Sequence, residues 1–345
     1  MNVKLFIEGL GAHSSQIFTG FGLLQQQGLM RLSFSKGRDY RPLRGIVCAE
    51  LDNRRIVYDL GDNPETVMEG YYADADFYFK RMAQQHIMDK YPKILPLGLN
   101  YPVYDPTDHY IKRAFIMKEK LSFVRAFLNK SIKISDIIGI KSASTSSRLD
   151  MMQALPNPLK KAKVIFASRL WNQFTDDENK NAERITINNQ RIEIVRLLKK
   201  EFGENFIGGI VEDPFSKKVC PESVLPRNTF TEKGSYNKHL LQCPIGIATP
   251  GLETSVGFKF AEYIAFSKAI VTTPVNAIVP GNLLEGKNYS MYNNPEECLR
   301  QVDVLMQDHQ FRKEMMENNF AYYQQYLRPD KLVWNSILQV HGYKI

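Results

Sequence analysis

Residues 249–273 read TPGLETSVGFKFAEYIAFSKAIVTT, and they leave the chain few ways to fold. Gly251, Ser255 and Gly257 mark a tight turn that leads into Phe258–Phe266, a helix pattern with apolar residues on most faces. Ala269-Ile270-Val271 then reads as a strand buried on both sides. A helix and a strand of this kind are covered together only in a layered α/β domain with a parallel sheet. A glycine-rich turn that ends at a helix start exposes backbone N–H groups and the positive end of the helix dipole, which favours a bound phosphate. Gly251, Glu253, Thr254, Ser255 and Gly257 are therefore candidate ligand-binding positions. Inside the helix, Glu262 is a charge among apolar neighbours and needs a partner or a function.

The rest of the chain follows the same α/β grammar. Val3–Ile7 reads as a first buried strand, and Gly9-Leu10-Gly11 turns it. Ser14 or Ser15 can cap a helix over Gln16–Gln27. Leu29–Phe34, Ile46–Leu51, Arg55–Asp59, Ala75–Phe79 and Lys93–Leu97 are further strands, and the alternation predicts a mostly parallel sheet. Ser142–Ser147 and Pro156-Asn157-Pro158 fit a domain connection, with one domain over 1–157 and a second over 158–328. In the second, Val164–Ala167, Phe206–Val211 and Ile245–Thr249 are strands, and Gln190–Phe202 and Tyr236–Gln242 are helices. Pro295–Met306 and Phe311–Tyr326 are helical, Pro329 breaks the chain, and Leu332–His341 is a last helix. At 345 residues the chain is too long for one ordinary core. The expected fold class is thus α/β, with two Rossmann-like domains facing a cleft.

The formal net charge is +8, which suggests an anionic partner. A basic, aromatic stretch over 112–141 interleaves Phe115, Phe123 and Phe127 with Lys and Arg. It could dock on an anionic membrane surface or be a solvated helix face. No RNP, KH or helix-turn-helix pattern supports nucleic-acid binding. Cys48, Cys220, Cys243 and Cys298 have no CxxC spacing, which argues against a zinc site and fits a reducing, cytoplasmic setting. The N-terminus reads as a strand with no signal-peptide pattern, and no run reaches the roughly 18 apolar residues of a membrane span.

Several residues could carry chemistry. Lys259 and Glu262 lie three apart on one helix face. A carboxylate there can accept from both hydroxyls of a cis-diol, with the lysine on a phosphate; the same spacing also fits a surface ion pair. Arg169 follows the strand Val164–Ala167, where ligands bind in open α/β sheets, and could clamp a diphosphate or bridge domains. Lys217 or Lys238 could add a second phosphate contact. His13 could serve as general base on an acceptor hydroxyl. Asp59 and Asp62, in VYDLGDNPE, follow another strand and could act as base or simply form a turn. Asp74-Ala75-Asp76 sits away from the ligand motif and reads as structural.

The string EYIAFSKAIVTT resembles the donor-site helix and strand of GT-B-type glycosyltransferases, including those of bacterial surface-polysaccharide biosynthesis. Leu283–Cys298 resembles the strand and helix that follow. The resemblance covers most of the C-terminal half, and the N-terminal half matches in layout. It implies that Glu262 is the glutamate that binds the ribose of a nucleotide sugar, with Gly257 the glycine five residues before it. Arg169 stands where related enzymes carry an arginine or lysine. The resemblance further implies transfer of a sugar from a nucleoside diphosphate to a hydroxyl of a glycan or lipid-linked glycan. No metal or other cofactor is required, and the final helix, 329–345, crosses back to the first domain. Two departures stand out. Trp171-Asn172-Gln173 replaces a lysine found shortly after the arginine. Thr254 occupies the place where retaining members carry a glutamate, and Glu253 lies one residue away, so the stereochemistry stays open. A sugar-nucleotide epimerase of the same fold and a non-catalytic, transferase-like binding subunit are the two other functions to weigh.

Overall fold

The structure, a computed structural model, describes residues 1–7, 12–36, 45–105, 147–175, 177–225 and 233–345. The basic stretch over 112–141 and the Gly9-Leu10-Gly11 turn lie outside the described residues. The chain forms two units, one of 1–152, 277–281 and 324–345, the other of 153–276 and 282–323.

The first unit holds a six-stranded sheet built from β1 (Asn2–Ile7), β2 (Arg31–Lys36), β3 (Ile46–Leu51), β4 (Arg54–Asp59), β5 (Phe77–Lys80) and β6 (Ile94–Pro96), in the order β2-β1-β3-β4-β5-β6. β3 runs antiparallel to both β1 and β4, and the other pairings are parallel. A parallel crossover needs a dozen residues or more, whereas only Asp52 and Asn53 join β3 to β4. Both sit at positive φ (49° and 61°), the primed hairpin turn that Asp and Asn tolerate. One face of the sheet is covered by α1 (Ser15–Gln26) and by α10 (Pro329–Val340), the last helix, which contributes Leu332, Val333, Ile337 and Val340 to the same core as Leu5, Phe21 and Tyr58. α1 and α10 approach so closely that a Cβ on Gly20 would lie 2.2 Å from the Pro329 carbonyl oxygen. Pro329 does not break the helix but starts it, where its missing N–H costs nothing. Two short helices, α2 (Glu69–Asp74) and α3 (Gln85–Lys90), connect β4, β5 and β6.

The second unit is a fully parallel sheet of β7 (Val164–Ser168), β8 (Phe206–Val211), β9 (Val224–Leu225), β10 (Ile245–Ala248), β11 (Ala269–Thr272) and β12 (Ser290–Met291). Its order is β12-β11-β10-β7-β8-β9. The chain winds outward from β7 to β9, then returns to β10 and winds the other way. This is the doubly wound Rossmann arrangement, with its switch point between β7 and β10. The helices are α4 (Glu178–Phe202), α5 (Pro214–Val219), α6 (Lys233–Gln242), α7 (Phe258–Ala265), α8 (Pro295–Gln307) and α9 (His309–Tyr322). Val164, Phe166, Ile194, Leu198, Ile247 and Val271 are among the residues that form the core. α7 lies tight on β10, since a Cβ on Gly246 would meet the Tyr263 ring at 2.9 Å. A π-helical turn over Tyr323–Leu327, not a continued α-helix, carries the chain back to the first unit.

α4 begins twelve residues earlier than its apolar pattern predicts. Its first half is polar, and local bonds set its start: the Asp177 side chain accepts from the Lys180 N–H at 3.1 Å and pairs with its ammonium at 3.3 Å.

Candidate nucleotide site

Ligands of doubly wound sheets bind beyond the carboxyl ends of the strands at the switch point. In the second unit that position is set by the residues after β7, Arg169 to Trp171, and by the loop after β10, Thr249 to Gly257. α4 fixes both. The buried Arg191 guanidinium donates to the Arg169 carbonyl at 2.6 Å, to Thr249 Oγ1 at 3.1 Å and to the Pro250 carbonyl at 2.9 Å. Burial pushes its pKa down to about 10, which leaves it a cation at neutral pH. One turn earlier, buried Asn188 accepts from the Trp171 N–H at 2.8 Å and donates to the Trp171 carbonyl at 2.7 Å. The β7 loop is thus fixed through its backbone, and Arg169 and Trp171 are exposed.

The β10 loop is strained in a specific way. Glu253 (φ 59°) and Thr254 (φ 56°) both occupy the left-handed region, which ordinary side chains rarely adopt. Consecutive residues of this kind turn their N–H groups to one side and make an anion-binding concavity. Its occupant is the Glu183 carboxylate, from the second turn of α4. Glu183 Oε1 accepts from the Glu253 N–H at 2.6 Å and more weakly from Thr254 N–H at 3.4 Å. Gly251 N–H, bonded to the Ser255 carbonyl at 2.8 Å, closes the loop. Gly257 then caps α7 in extended conformation.

Glu262 lies one and a half turns into α7 and is buried. Its Oε1 accepts from Lys233 Nζ, at the start of α6, at 2.6 Å. Among the described residues its Oε2 has only Lys259 Nζ, at 3.5 Å, and makes no good hydrogen bond. Burial pushes the Glu262 carboxyl up, but the two lysines outweigh it and hold the group below the usual carboxylate range. The Lys259 side chain is partly exposed, and its ammonium rests over the buried Tyr236 ring, 3.3 Å from the centroid. Burial pushes that ammonium down to about 8; Glu262 opposes the shift, and the positive charges of Lys233 and Arg169 add to it. Two cations, Lys233 and Lys259, thus flank Glu262, and Arg169, after β7, adds its charge to the field at Lys259.

The remaining expected residues lie elsewhere. Lys238 is exposed on α6, five residues past Lys233 and so about 140° round the helix from it. Lys217 is tied to Glu212. In the first unit, Asp59 is not available as a base. It is 3% exposed, its Oδ2 accepts from Tyr78 Oη at 2.8 Å and Lys80 Nζ at 3.1 Å, and its Oδ1 accepts from the Gly61 N–H at 2.9 Å. Asp62, half exposed, is ion-paired to Arg81. Asp76 accepts from the Arg55 N–H at 2.6 Å and Asp74 pairs with the Arg55 guanidinium at 3.7 Å, so both serve the fold. His13 is half-buried before α1, where its carbonyl accepts from Asn100 Nδ2 at 3.0 Å. Among the described residues, no group of three or more His, Cys, Asp or Glu side chains could hold a metal ion.

Sequence reasoning missed Lys233, Glu183, Asn188 and Arg191. The last three sit in the polar first half of α4 or just past it, where no apolar stripe marks a helix. Lys233 stands three residues before the first apolar residue of α6.

No family model and no curated protein match the chain. Solved structures do. The C-terminal domain of a group 1 family glycosyl transferase of Francisella tularensis aligns at 12% identity over 51% of this chain and 95% of its own, with a TM-score of 0.36. A UDP-GlcNAc 2-epimerase of Neisseria meningitidis, bound to UDP-GlcNAc, aligns at 13% identity over 79% of this chain and 63% of its own, TM-score 0.39. A glycosyltransferase of Rickettsia africae aligns at 11% identity over 77% and 62%, TM-score 0.40. These likenesses are distant, and the geometry above carries the reading below.

Proposed function

We propose that the protein is a GT-B-type glycosyltransferase whose second unit binds a nucleoside diphosphate sugar and whose acceptor is a hydroxyl of a glycan or lipid-linked glycan. The observation that carries this reading is the switch-point cluster, where Lys233 and Lys259 outnumber the buried Glu262 and Arg169 adds its charge to the field at Lys259. Such an excess of positive charge beside a fixed loop suits a diphosphate, and the buried Oε2 of Glu262, which makes no hydrogen bond, would accept from a ribose hydroxyl once Lys259 turns aside. Cationic side chains and the α7 terminus would stabilise the leaving diphosphate, so the reaction would need no metal. His13 is the proposed base toward the acceptor.

A thermal-shift series with UDP, GDP, CMP and dTDP tests the reading. A ligand at a hundred times its dissociation constant adds about 2.7 kcal/mol of stability. Failure of every nucleotide to raise the melting temperature would rule the reading out. The non-catalytic alternative draws on one observation, the engagement of Asp59 and Asp62 in ion pairs. Release of free sugar or transferred product from a bound donor would dismiss it. No helix among the described residues is long and apolar enough to cross a membrane. Contact with an anionic membrane through 112–141 remains part of the proposal, to be tested by vesicle sedimentation at two salt concentrations.

A further inference from the structure

We propose that Glu183 is a ligand-contacting residue that accepts a hydrogen bond from a hydroxyl of the sugar carried by the nucleotide, and so sets preference for the sugar-linked over the free nucleoside diphosphate. The inference rests on the nucleotide-sugar reading above. Three observations lead to it. First, the carboxylate is held by one oxygen only: Oε1 takes the Glu253 and Thr254 N–H groups at 2.6 and 3.4 Å, and among the described residues no hydrogen bond or ion pair engages Oε2. A carboxylate offers about four acceptor positions, and this one leaves an entire oxygen unused at the protein surface. Second, the loop it holds is strained. The left-handed pair at Glu253 and Thr254 costs backbone energy, and strain of this kind persists where the surroundings fix a functional geometry. Third, the carboxylate lies beyond the carboxyl ends of β7 and β10, on the helix whose Arg191 and Asn188 hold the two ligand loops. Its partner loop runs directly into α7, which carries Lys259 and Glu262.

A fixed acceptor oxygen on the loop that leads into α7 would divide the labour with the cations of that helix. The cations take the diphosphate, which free and sugar-linked nucleotides share. The carboxylate takes a hydroxyl that only the sugar-linked form supplies.

The test compares wild type with Glu183→Gln by calorimetry. The probes are UDP against UDP-glucose, GDP against GDP-mannose and dTDP against dTDP-rhamnose. Gln keeps an oxygen for the two backbone N–H groups but replaces the free acceptor with a donor. For whichever pair binds, the Kd of the free nucleoside diphosphate should stay within about twofold, while that of the sugar-linked form should rise about tenfold or more, the loss expected for one charge-assisted hydrogen bond. Glu183→Ala, which also releases the loop, should weaken both forms. Two results would overturn the inference. One is an unchanged ratio between the two forms in Glu183→Gln. The other is tighter binding of both forms, which would mean that the carboxylate occupies a seat the ligand's own phosphate takes. If no nucleotide binds the wild type, the nucleotide-sugar reading falls and takes this inference with it. If nucleotides bind and the ratio does not move, this inference alone falls.

Discussion

Asp59 in the first unit and Glu262 in the second are both buried carboxylates paired with lysine, yet their surroundings differ. Around Asp59 every polar group is matched: Lys80, which is also buried, donates to Asp59 at 3.1 Å and to the carbonyls of Asn63 and Thr66 at 3.1 and 2.7 Å. Around Glu262 the match is incomplete. One oxygen has no good hydrogen bond, the two lysines are 25% and 38% exposed, and the charge of Arg169 is felt at Lys259. A closed network of charges holds a fold together, whereas an open one with surplus charge is arranged for a partner.

Removing each carboxylate should produce different failures. Asp59→Ala leaves the Lys80 ammonium buried without a counter-charge and should cost about 3–5 kcal/mol of stability. Urea denaturation measures it, and a loss under about 1 kcal/mol would show that the two networks do not differ in the way proposed. Arg169→Ala should leave the melting temperature nearly unchanged, because the side chain is exposed and its loop is held through the backbone. Its effect should fall on turnover, by roughly a hundredfold or more in kcat, since leaving-group charge grows in the transition state. A rise in donor KM with kcat intact would reduce Arg169 to ground-state binding.

Glu262→Ala should destabilise less than Asp59→Ala, because its two lysine side chains, 25% and 38% exposed, are far less enclosed than that of Lys80. It should weaken nucleoside diphosphate binding by about 1.5–3 kcal/mol, the loss of a charged hydrogen bond, and leave inorganic pyrophosphate binding largely intact. Calorimetry with UDP and pyrophosphate separates the two contributions, and equal losses for both would contradict the ribose assignment.

The smallest effect concerns pH. Lys259 is held near 8 in the folded chain against 10.5 ordinarily. Between these values the unfolded chain binds a proton that the folded chain lacks, so the stability contribution of this group rises with pH across that window. Ligand affinity should move the other way. An anion beside Lys259 favours its charged form, so affinity should fall as pH rises above about 8, by at most about tenfold per pH unit. Lys259→Met should remove that slope. A wild-type affinity flat from pH 7 to 9.5 would detach Lys259 from the ligand.

Much of the fold was readable along the chain because burial writes itself into period. Val164–Ala167, Ile245–Thr249 and Ala269–Val271 are continuous apolar runs, and each is a parallel strand of the second sheet. The antiparallel β3 was not readable as such: its apolar content resembles that of its parallel neighbours, and only the two-residue Asp52-Asn53 link betrays the hairpin. The first half of α4 was invisible for the opposite reason. Its polar residues face loops and solvent, not core, so no apolar stripe records that it is helical.

The alternation of strands and helices, the turn that feeds α7, and the placing of Lys259 and Glu262 on one face are local properties of the chain, because each depends on neighbours within a turn of the backbone. The residues that complete the site come from far along the chain and are brought together by folding alone. Lys233 reaches Glu262 across 29 residues, Arg191 reaches Thr249 across 58, and Glu183 reaches the Glu253 N–H across 70. Charge is balanced through space: a carboxylate or a strained amide takes whichever group the winding of the sheet brings within about 3 Å, and spacing along the chain carries no record of that distance.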